Sequence, residues 1–303
     1  MALDALLSRL PSDERRGSKK FKCRPIEAQD LPAVIDLLRK GFPSRNRLYW
    51  ERGLQRLARL RPPLGFPQFG DLLTIEGRPV GVHLLITAPC LDDPQAPARC
   101  NGSSWYVDER FRSYGMFLQM RATRRQPAVY TDLDPQSYTV PMISAQGYRL
   151  YSGGLFLGLP ALASSPAPAT RLLRGQAAWQ AAGVPLSDQR MLADHEAFGC
   201  ICLWCETPTG GQPVIVRRRA VKSAIPCAQL IYCKSLSEFV RVARPVGRFL
   251  AARGMLFLLV PSDEPVHGLP GRLFPGRLPL YFKGAKPPPP TDLAYTEVAL
   301  FGR

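Results

Sequence analysis

Arg112-Ser113-Tyr114-Gly115-Met116-Phe117-Leu118 is the stretch on which the fold reading turns. It has the form R-x-x-G-x-F-L, and the same form recurs at Arg244-Pro245-Val246-Gly247-Arg248-Phe249-Leu250. Each copy is read as following a strand-like run and opening a helix-like run. The first turn of a helix carries backbone N–H groups with no partner inside the helix, so such a junction can cradle a phosphate.

Two further landmarks recur in the same order at nearly the same offset. Gly77-x-Pro79-Val80-x-Val82 matches Gly211-x-Pro213-Val214-x-Val216, and Leu150-Tyr151-x-Gly153 resembles Leu280-Tyr281-x-x-Gly284. Three landmarks in one order, each in the same predicted setting, indicate an internal duplication.

Working outward, residues 1–20 are polar and basic and read as a short tail. Phe21–Ile26 reads as an edge strand, with Asp30 as cap of a helix over 31–40 and a second, Arg-rich helix over 46–60. Strands follow at 71–75, 79–88 and 99–107, with a loop at 91–98. A helix is expected over 112–124, a strand at 128–132, a broken helix within 135–146 and a strand from 148. Ala161–Pro168 is small and Pro-rich, as a linker should be. Beyond it come a helix over 171–182, a polar loop at Asp194-His195-Glu196 and a strand pair at 200–205 and 213–217. A strand at 227–233, a helix over 237–253, a strand at 255–260 and final strands at 278–282 and 295–301 complete the order. The divisions expected are a tail to residue 20, a first domain over 21–158, a linker with a helix over 159–185, and a second domain over 186–303.

The 303 residues carry 40 Lys and Arg against 24 Asp and Glu, a net charge of +16. With 46% hydrophobic and 21% charged residues the chain can bury a core, and disorder is not the default. The charge suits anionic partners, among them phosphates and nucleic acid, without choosing between them. No aromatic–basic nucleic-acid motif accompanies it. No secretory signal is visible at Met1–Leu10 and no run approaches the ~20 apolar residues of a membrane span, so a cytoplasmic protein with reduced thiols is expected. Cys200-x-Cys202-x-x-Cys205 lacks a second cluster to complete a metal site; its alternation reads as small thiols on a buried strand.

Ser104-Trp105-Tyr106-Val107-Asp108-Glu109-Arg110-Phe111-Arg112-Ser113-Tyr114-Gly115 resembles the GNAT acyltransferase superfamily over about residues 21–155, and Gln146–Tyr151 resembles its late glycine-containing segment. The second half resembles it more faintly. The fold class this implies is α/β (α+β): two tandem GNAT-like domains, each a mixed, mostly antiparallel sheet flanked by helices. The implied chemistry is acyl transfer from acetyl-CoA or another acyl-CoA to an amine, or less often a hydroxyl. In that fold the fourth strand splays from the fifth and its free backbone groups bind the pantetheine arm.

Carried across by position, Trp105, Tyr106 and Val107 are the strand that holds pantetheine and thioester. Arg112, Ser113, Tyr114, Gly115, Met116 and Phe117 are the pyrophosphate loop. Phe117 stands where the superfamily has a small residue, and Pro245 removes an N–H from the second copy. The resemblance therefore implies one cofactor site, in the first half. The superfamily's late tyrosine acid is absent, its position being Ile143. Candidates for proton transfer are Tyr130, Asp132 and Glu109, with Asp108 beside the last. His83 is read either as a base facing the cleft or as a core histidine, and His267 as a loop residue near the acceptor side. Three readings stand: an acyl-CoA-dependent transferase acting on a small-molecule or peptide amine, a GNAT-like binding module without turnover, and an aminoacyl-tRNA-dependent transferase of related tandem fold.

Overall fold

The computed structural model describes residues 20–88, 96–164, 169–221 and 225–302. Residues 1–19 of the expected tail, 91–95 of the expected loop and 165–168 of the expected linker lie outside the described residues.

Strand β1 (Phe21–Pro25) leads into α1 (Leu31–Gly41) and α2 (Arg47–Ala58). Val34, Ile35, Leu37 and Leu38 put one face of α1 in the core, and Trp50, Leu54 and Leu57 do so for α2. Asn46 caps α2 by accepting the Tyr49 N–H at 2.9 Å. Asp30, expected to cap α1, instead accepts from Arg24 and from the Glu27 N–H. β2 (Gly70–Ile75), β3 (Arg78–Ala88) and β4 (Ala98–Val107) form a meander. α3 (Gly115–Ala122), β5 (Ala128–Leu133), α4 (Val140–Ala145) and β6 (Arg149–Gly158) complete the first run.

The second run repeats this order except that no helix stands between its last two strands among the described residues: β7 (Arg171–Leu173), α5 (Gln176–Ala181), α6 (Leu186–Ala197), β8 (Ile201–Thr207), β9 (Gly210–Val221), β10 (Ile225–Cys233), α7 (Leu236–Ala251), β11 (Phe257–Pro261) and β12 (Gly271–Lys283). Four expectations are corrected here. The helix over 171–182 is a three-residue strand followed by α5, because Leu172 and Leu173 pair with Cys205 and Trp204 of β8. Asp194-His195-Glu196 lies inside α6 rather than in a loop. The final strand over 295–301 is instead a turn and a short helix, α8 (Glu297–Leu300). The second R-x-x-G-x-F-L copy does not open a helix: Arg244–Leu250 occupies the last two turns of α7, whose cap is Ser235.

Among the described residues twelve strands form one sheet in the order β1-β2-β3-β4-β5-β12-β6-β11-β10-β9-β8-β7. The middle of that order holds an exchange. β12, from the second run, pairs antiparallel with β5 of the first, Leu280 opposite Leu133. β6, from the first run, pairs antiparallel with β11 of the second, Val260 opposite Phe156. β6 and β12 also pair with each other. Each run thus lends its sixth strand to the fifth strand of the other, which leaves neither fifth strand with an unpaired edge there.

One face of this sheet carries α1, α2, α6 and the C-terminal segment, whose buried side chains join in a single cluster from Ile26 to Phe301. The other face carries α3 against β2 and β3 in the first run and α7 against β8–β11 in the second. Cys202 falls in the first of these cores and Cys205 in the last, so the thiols of β8 alternate between faces. Burial pushes both up from their ordinary range, which leaves them un-ionised. Gly247 lets α7 lie directly on the chain at Pro160 and Ala161, whose backbone a Cβ would overlap. Among the described residues no helix is long and apolar enough to cross a membrane.

Candidate active site

β4 and β5 run parallel and pair only from Ala98–Ala128 to Gly102–Asp132. β4 continues to Val107 bonded to β3 alone, so its backbone from Ser103 onward faces a gap. At this point the β3–β4 register slips between Val82 and Leu84, and Ser104 takes φ 51°. A bulge of this kind bends a strand and ends its pairing, which is how the gap opens. The second run has the same device. β10 and β11 pair only to Gln229–Leu259, and the β9–β10 register slips between Leu230 and Tyr232.

The two gaps differ in what fills them. In the second, Asp292 bridges to Tyr232 and the Leu293 N–H donates to the Ile231 carbonyl at 2.8 Å, so the chain itself bridges the gap, and a cavity of ≈550 Å³ lies beyond it at the ends of β10 and β11, lined by Lys234, Ser262 and Thr291 among others. In the first, a cavity of ≈80 Å³ remains, enough to admit water. His83, Ser103, Ser104, Trp105, Asp132, Asp134 and Glu297 are among the residues that line it.

Glu297 arrives from the far end of the chain. Its N–H donates to Asn101 Oδ1 at 2.8 Å, and its Oε2 accepts from Ser103 Oγ at 2.6 Å. The residue is 3% exposed. The segment carrying it is pinned on both sides. Arg99 forms a two-pronged pair with Asp292, at 2.6 and 2.9 Å. His195 Nε2 accepts the Tyr295 N–H at 3.1 Å, while its Nδ1 lies 2.8 Å from the Met191 carbonyl and donates to it. That tautomer uses both nitrogens, and burial holds the His195 pKa down at about 4.

His83 is also buried, with its ring 5.8 Å from that of Trp105 at 30°. Among the described residues its Nδ1 has no hydrogen-bond partner. Burial lowers its pKa to about 4; the neighbouring Asp71 carboxylate pulls the other way without prevailing. His83 is therefore neutral at pH 7. Asp71 itself is fully buried and held by Arg121 and Arg125 at 2.9 Å each.

Of the residues expected to form the site, Trp105 and Asp132 line the cavity. Tyr106 packs toward the core shared by α1 and α2, and its hydroxyl donates to Asp108 Oδ1 at 3.1 Å. Val107 is buried on the opposite face beside Val80 and Leu118. Tyr130 is buried away from the cavity with Cys100, Ile143 and Tyr148; its hydroxyl donates to the Arg125 carbonyl, and burial raises its pKa. Glu109 is exposed and pairs with Arg112 at 3.1 Å. His267 is not among the cavity's lining residues.

The expected pyrophosphate loop is a 3-10 helix, Glu109–Tyr114, running into α3. The Phe111 N–H donates to the Asp108 carbonyl and the Gly115 N–H to the Arg112 carbonyl, so at least two of its amides are used within it. Ser113 is exposed, and Met116 Sδ accepts from Gln146. Gly115 sits under the Trp105 ring, where a Cβ would come within 3.3 Å. Phe117 packs its ring 5.4 Å from Phe21 and 6.4 Å from Tyr114, which accounts for the absence of a small residue there. Phe249 packs, partly buried, against the core beneath α7, with the Arg253 guanidinium over its ring at 3.6 Å. Sequence reasoning missed Ser103, Asp134 and Glu297. Ser103 and Asp134 flank residues that were singled out, but no local pattern marks Glu297, whose place depends on contacts across the whole chain.

No family model and no curated protein matches the sequence. Solved structures do match the fold. A putative acetyltransferase from Pyrococcus horikoshii aligns with TM-score 0.51 and 11% identity over 92% of both chains. A GCN5-related N-acetyltransferase from Anabaena variabilis aligns with TM-score 0.54 and 9% identity over 87% of this chain and 72% of its own. A probable N-acyltransferase from Enterococcus faecalis gives 0.52 and 9% over the same shares. The chain has the GNAT fold, with strands and helices of that type in both runs.

Proposed function

We propose that this chain is an acyl-CoA-dependent acyltransferase that moves an acyl group, acetyl first among the candidates, to the nitrogen of an amine. The observation that carries the reading is the β4–β5 gap: unbridged and lined with polar groups in the first run, bridged by the chain's own Asp292 and Leu293 in the second. One working site follows, and the second run serves as its scaffold.

The fit of the donor to these residues is uneven. The freed β4 backbone from Ser103 to Val107 suits the amides of a pantetheine arm, which can pair with it as a further strand would. The loop suits the pyrophosphate less through its amides, two of which are used, than through the exposed Arg110 and Arg112 guanidiniums. The acyl-CoA supplies an activated thioester carbonyl; the protein supplies position and proton transfer. Backbone N–H groups of the splayed strand stabilise charge developing on the carbonyl oxygen. Glu297, fixed by Ser103 and Asn101, accepts the proton that the attacking amine releases as the C–N bond forms and the C–S bond breaks. Asp132 is the second carboxylate on the cavity.

Thermal unfolding of the full chain with acetyl-CoA tests this. Binding at a hundredfold excess over Kd adds about 2.7 kcal/mol, a shift of several degrees. Ser113→Glu places a negative charge on the exposed loop and should abolish the shift. Glu297→Gln should keep the shift and lose at least about a hundredfold in turnover. Absence of a shift with any acyl-CoA would sink the proposal. A second reading, binding without turnover, is favoured by the used loop amides; it predicts a shift in the wild type and no acylated product with any amine.

A further inference from the structure

β12 has a free edge beside the cavity. β5 pairs with it only at Leu280–Lys283, and the Asp134 N–H donates to the Pro279 carbonyl where β5 ends. Upstream of that point Gly271–Pro275 pairs with β6 alone, Gly271 opposite Gly158 and Pro275 opposite Gly154. A bulge separates the two parts, with Gly276 and Leu278 at φ 71° and 59°. The Leu159 N–H donates to the Pro270 carbonyl. Backbone bonds alternate in direction along an antiparallel pair, so Arg272 and Phe274 turn theirs to β6, and Gly271 and Leu273 turn theirs outward. Among the described residues no strand pairs with that outward side. Pro275 belongs to the same outward set, where a missing N–H breaks no ladder bond.

The position of this edge gives it a direction. Asp134 and Pro135, the first residues past β5, line the cavity. A strand added antiparallel to β12 continues the line of β5, so its N-terminal end lies beside Asp134 and its chain runs away toward Gly271. The edge also has a charge. Arg272 and Arg277 are exposed, and neither has a carboxylate partner among the described residues; Arg272 lies 5.5 Å over the ring of Phe274. Arginines and a proline on an edge deter a second flat sheet of like charge and leave room for a single strand of opposite charge.

We infer that β12 takes up an extended acidic peptide as an added antiparallel strand and so delivers the peptide's N-terminal amine to the cavity as the acyl acceptor. The inference rests on the acyltransferase reading. The neutral amine forms the C–N bond as the C–S bond breaks, and coenzyme A leaves as the thiol with the proton that the amine gives up. Main-chain bonds to Gly271 and Leu273 supply affinity with little regard to sequence. An apolar side chain beside Phe274 and an acidic one beside Arg272 supply preference. Leu280 faces Ser152 and Gly271 faces Gly158, six positions apart on β6, so the edge is about 20 Å long. A peptide of four residues falls short of it, and one of about eight spans it.

The test uses peptides of four, eight and twelve residues in which valine and threonine alternate with glutamate, each with a free N-terminus and fluorescein at the C-terminus. Fluorescence anisotropy with the full chain should show affinity rising about tenfold or more from four to eight residues and level by twelve. N-methylation of alternate peptide amides should abolish binding in one alternating set and spare it in the other, because only one set faces the edge. Arg272→Glu should shift the preference to peptides with lysine in place of glutamate. Affinity independent of length, equal effects of the two methylated sets, or a dimer formed through this edge that excludes the peptide overturns the inference. If acetyl-CoA stabilises the chain and no peptide binds, the inference falls and the acyltransferase reading stands. If the peptide binds in the alternating pattern and no acyl-CoA stabilises the chain, the acyltransferase reading falls and the acceptor role with it. With both bound, mass spectrometry should find the acetyl group on the terminal nitrogen; a bound peptide left unmodified while a small amine is acetylated overturns the acceptor role.

Discussion

At the scale of single residues, the two buried histidines make the fold sensitive to acid. Both His83 and His195 have folded-state pKa values held near 4 by burial, below the ordinary 6.5. The unfolded chain binds these protons first, so stability is full above pH 6.5 and falls as pH drops toward 4. Between those two values each histidine changes stability by about 1.4 kcal/mol for every pH unit, and so removes up to about 3 kcal/mol by pH 4. Urea midpoints measured from pH 7.5 to 4.5 should fall through this window, and a flat profile would refute the assignment. Gly247→Ala belongs at the same scale. A methyl there meets the backbone of Pro160 and Ala161, which have no soft end to move. A loss of about 1–3 kcal/mol in urea unfolding is expected, and an unchanged midpoint would show that α7 can shift.

At the scale of elements, the C-terminal segment does most to set the site. Leu293 closes the second gap, Arg99 holds Asp292, and His195 holds the Tyr295 amide, so that Glu297 reaches the first gap. Arg99→Met would leave the Asp292 carboxylate, 12% exposed, without its cation, at a cost of about 3–5 kcal/mol. The same variant should lower kcat more than it weakens acetyl-CoA binding, because it loosens Glu297 and leaves β4 in place; equal losses in both would argue against that route. This segment is also where sequence reading stopped. Residues 295–301 read as a strand, ending in the apolar run Val298–Phe301, but the Thr296 hydroxyl bonds back to the Leu293 carbonyl and α8 begins at Glu297 instead. The β2–β3 and β8–β9 hairpins, α1, α2 and α7 were legible because period, caps and turns are local. The exchange of β6 and β12 was not, since side chains that suit a central strand do not name the neighbour. The match at Arg244–Leu250 misled because Gly247 serves helix packing there and not a phosphate.

At the scale of the molecule, the exchange binds the two runs into one cooperative unit. β5 is covered by β12 and β11 by β6, and the largest buried cluster draws on both runs. A chain cut between residues 164 and 169 should give two pieces that do not fold alone and that fold when mixed. Circular dichroism and gel filtration read this directly; a monomeric first piece with cooperative unfolding would contradict it.

The exchange also sets a clock for synthesis. β5 leaves the ribosome with its outer edge bare, and the strand that seals it, β12, begins at Gly271, 138 positions after β5 ends at Leu133. At roughly 5–20 residues per second, that edge waits on the order of ten seconds or more for its partner. Throughout that interval the nascent first half presents an open strand edge to other chains, so the cell must shield it until the last strands arrive. A ribosome stalled after β6 releases no folded half, only a client for chaperones.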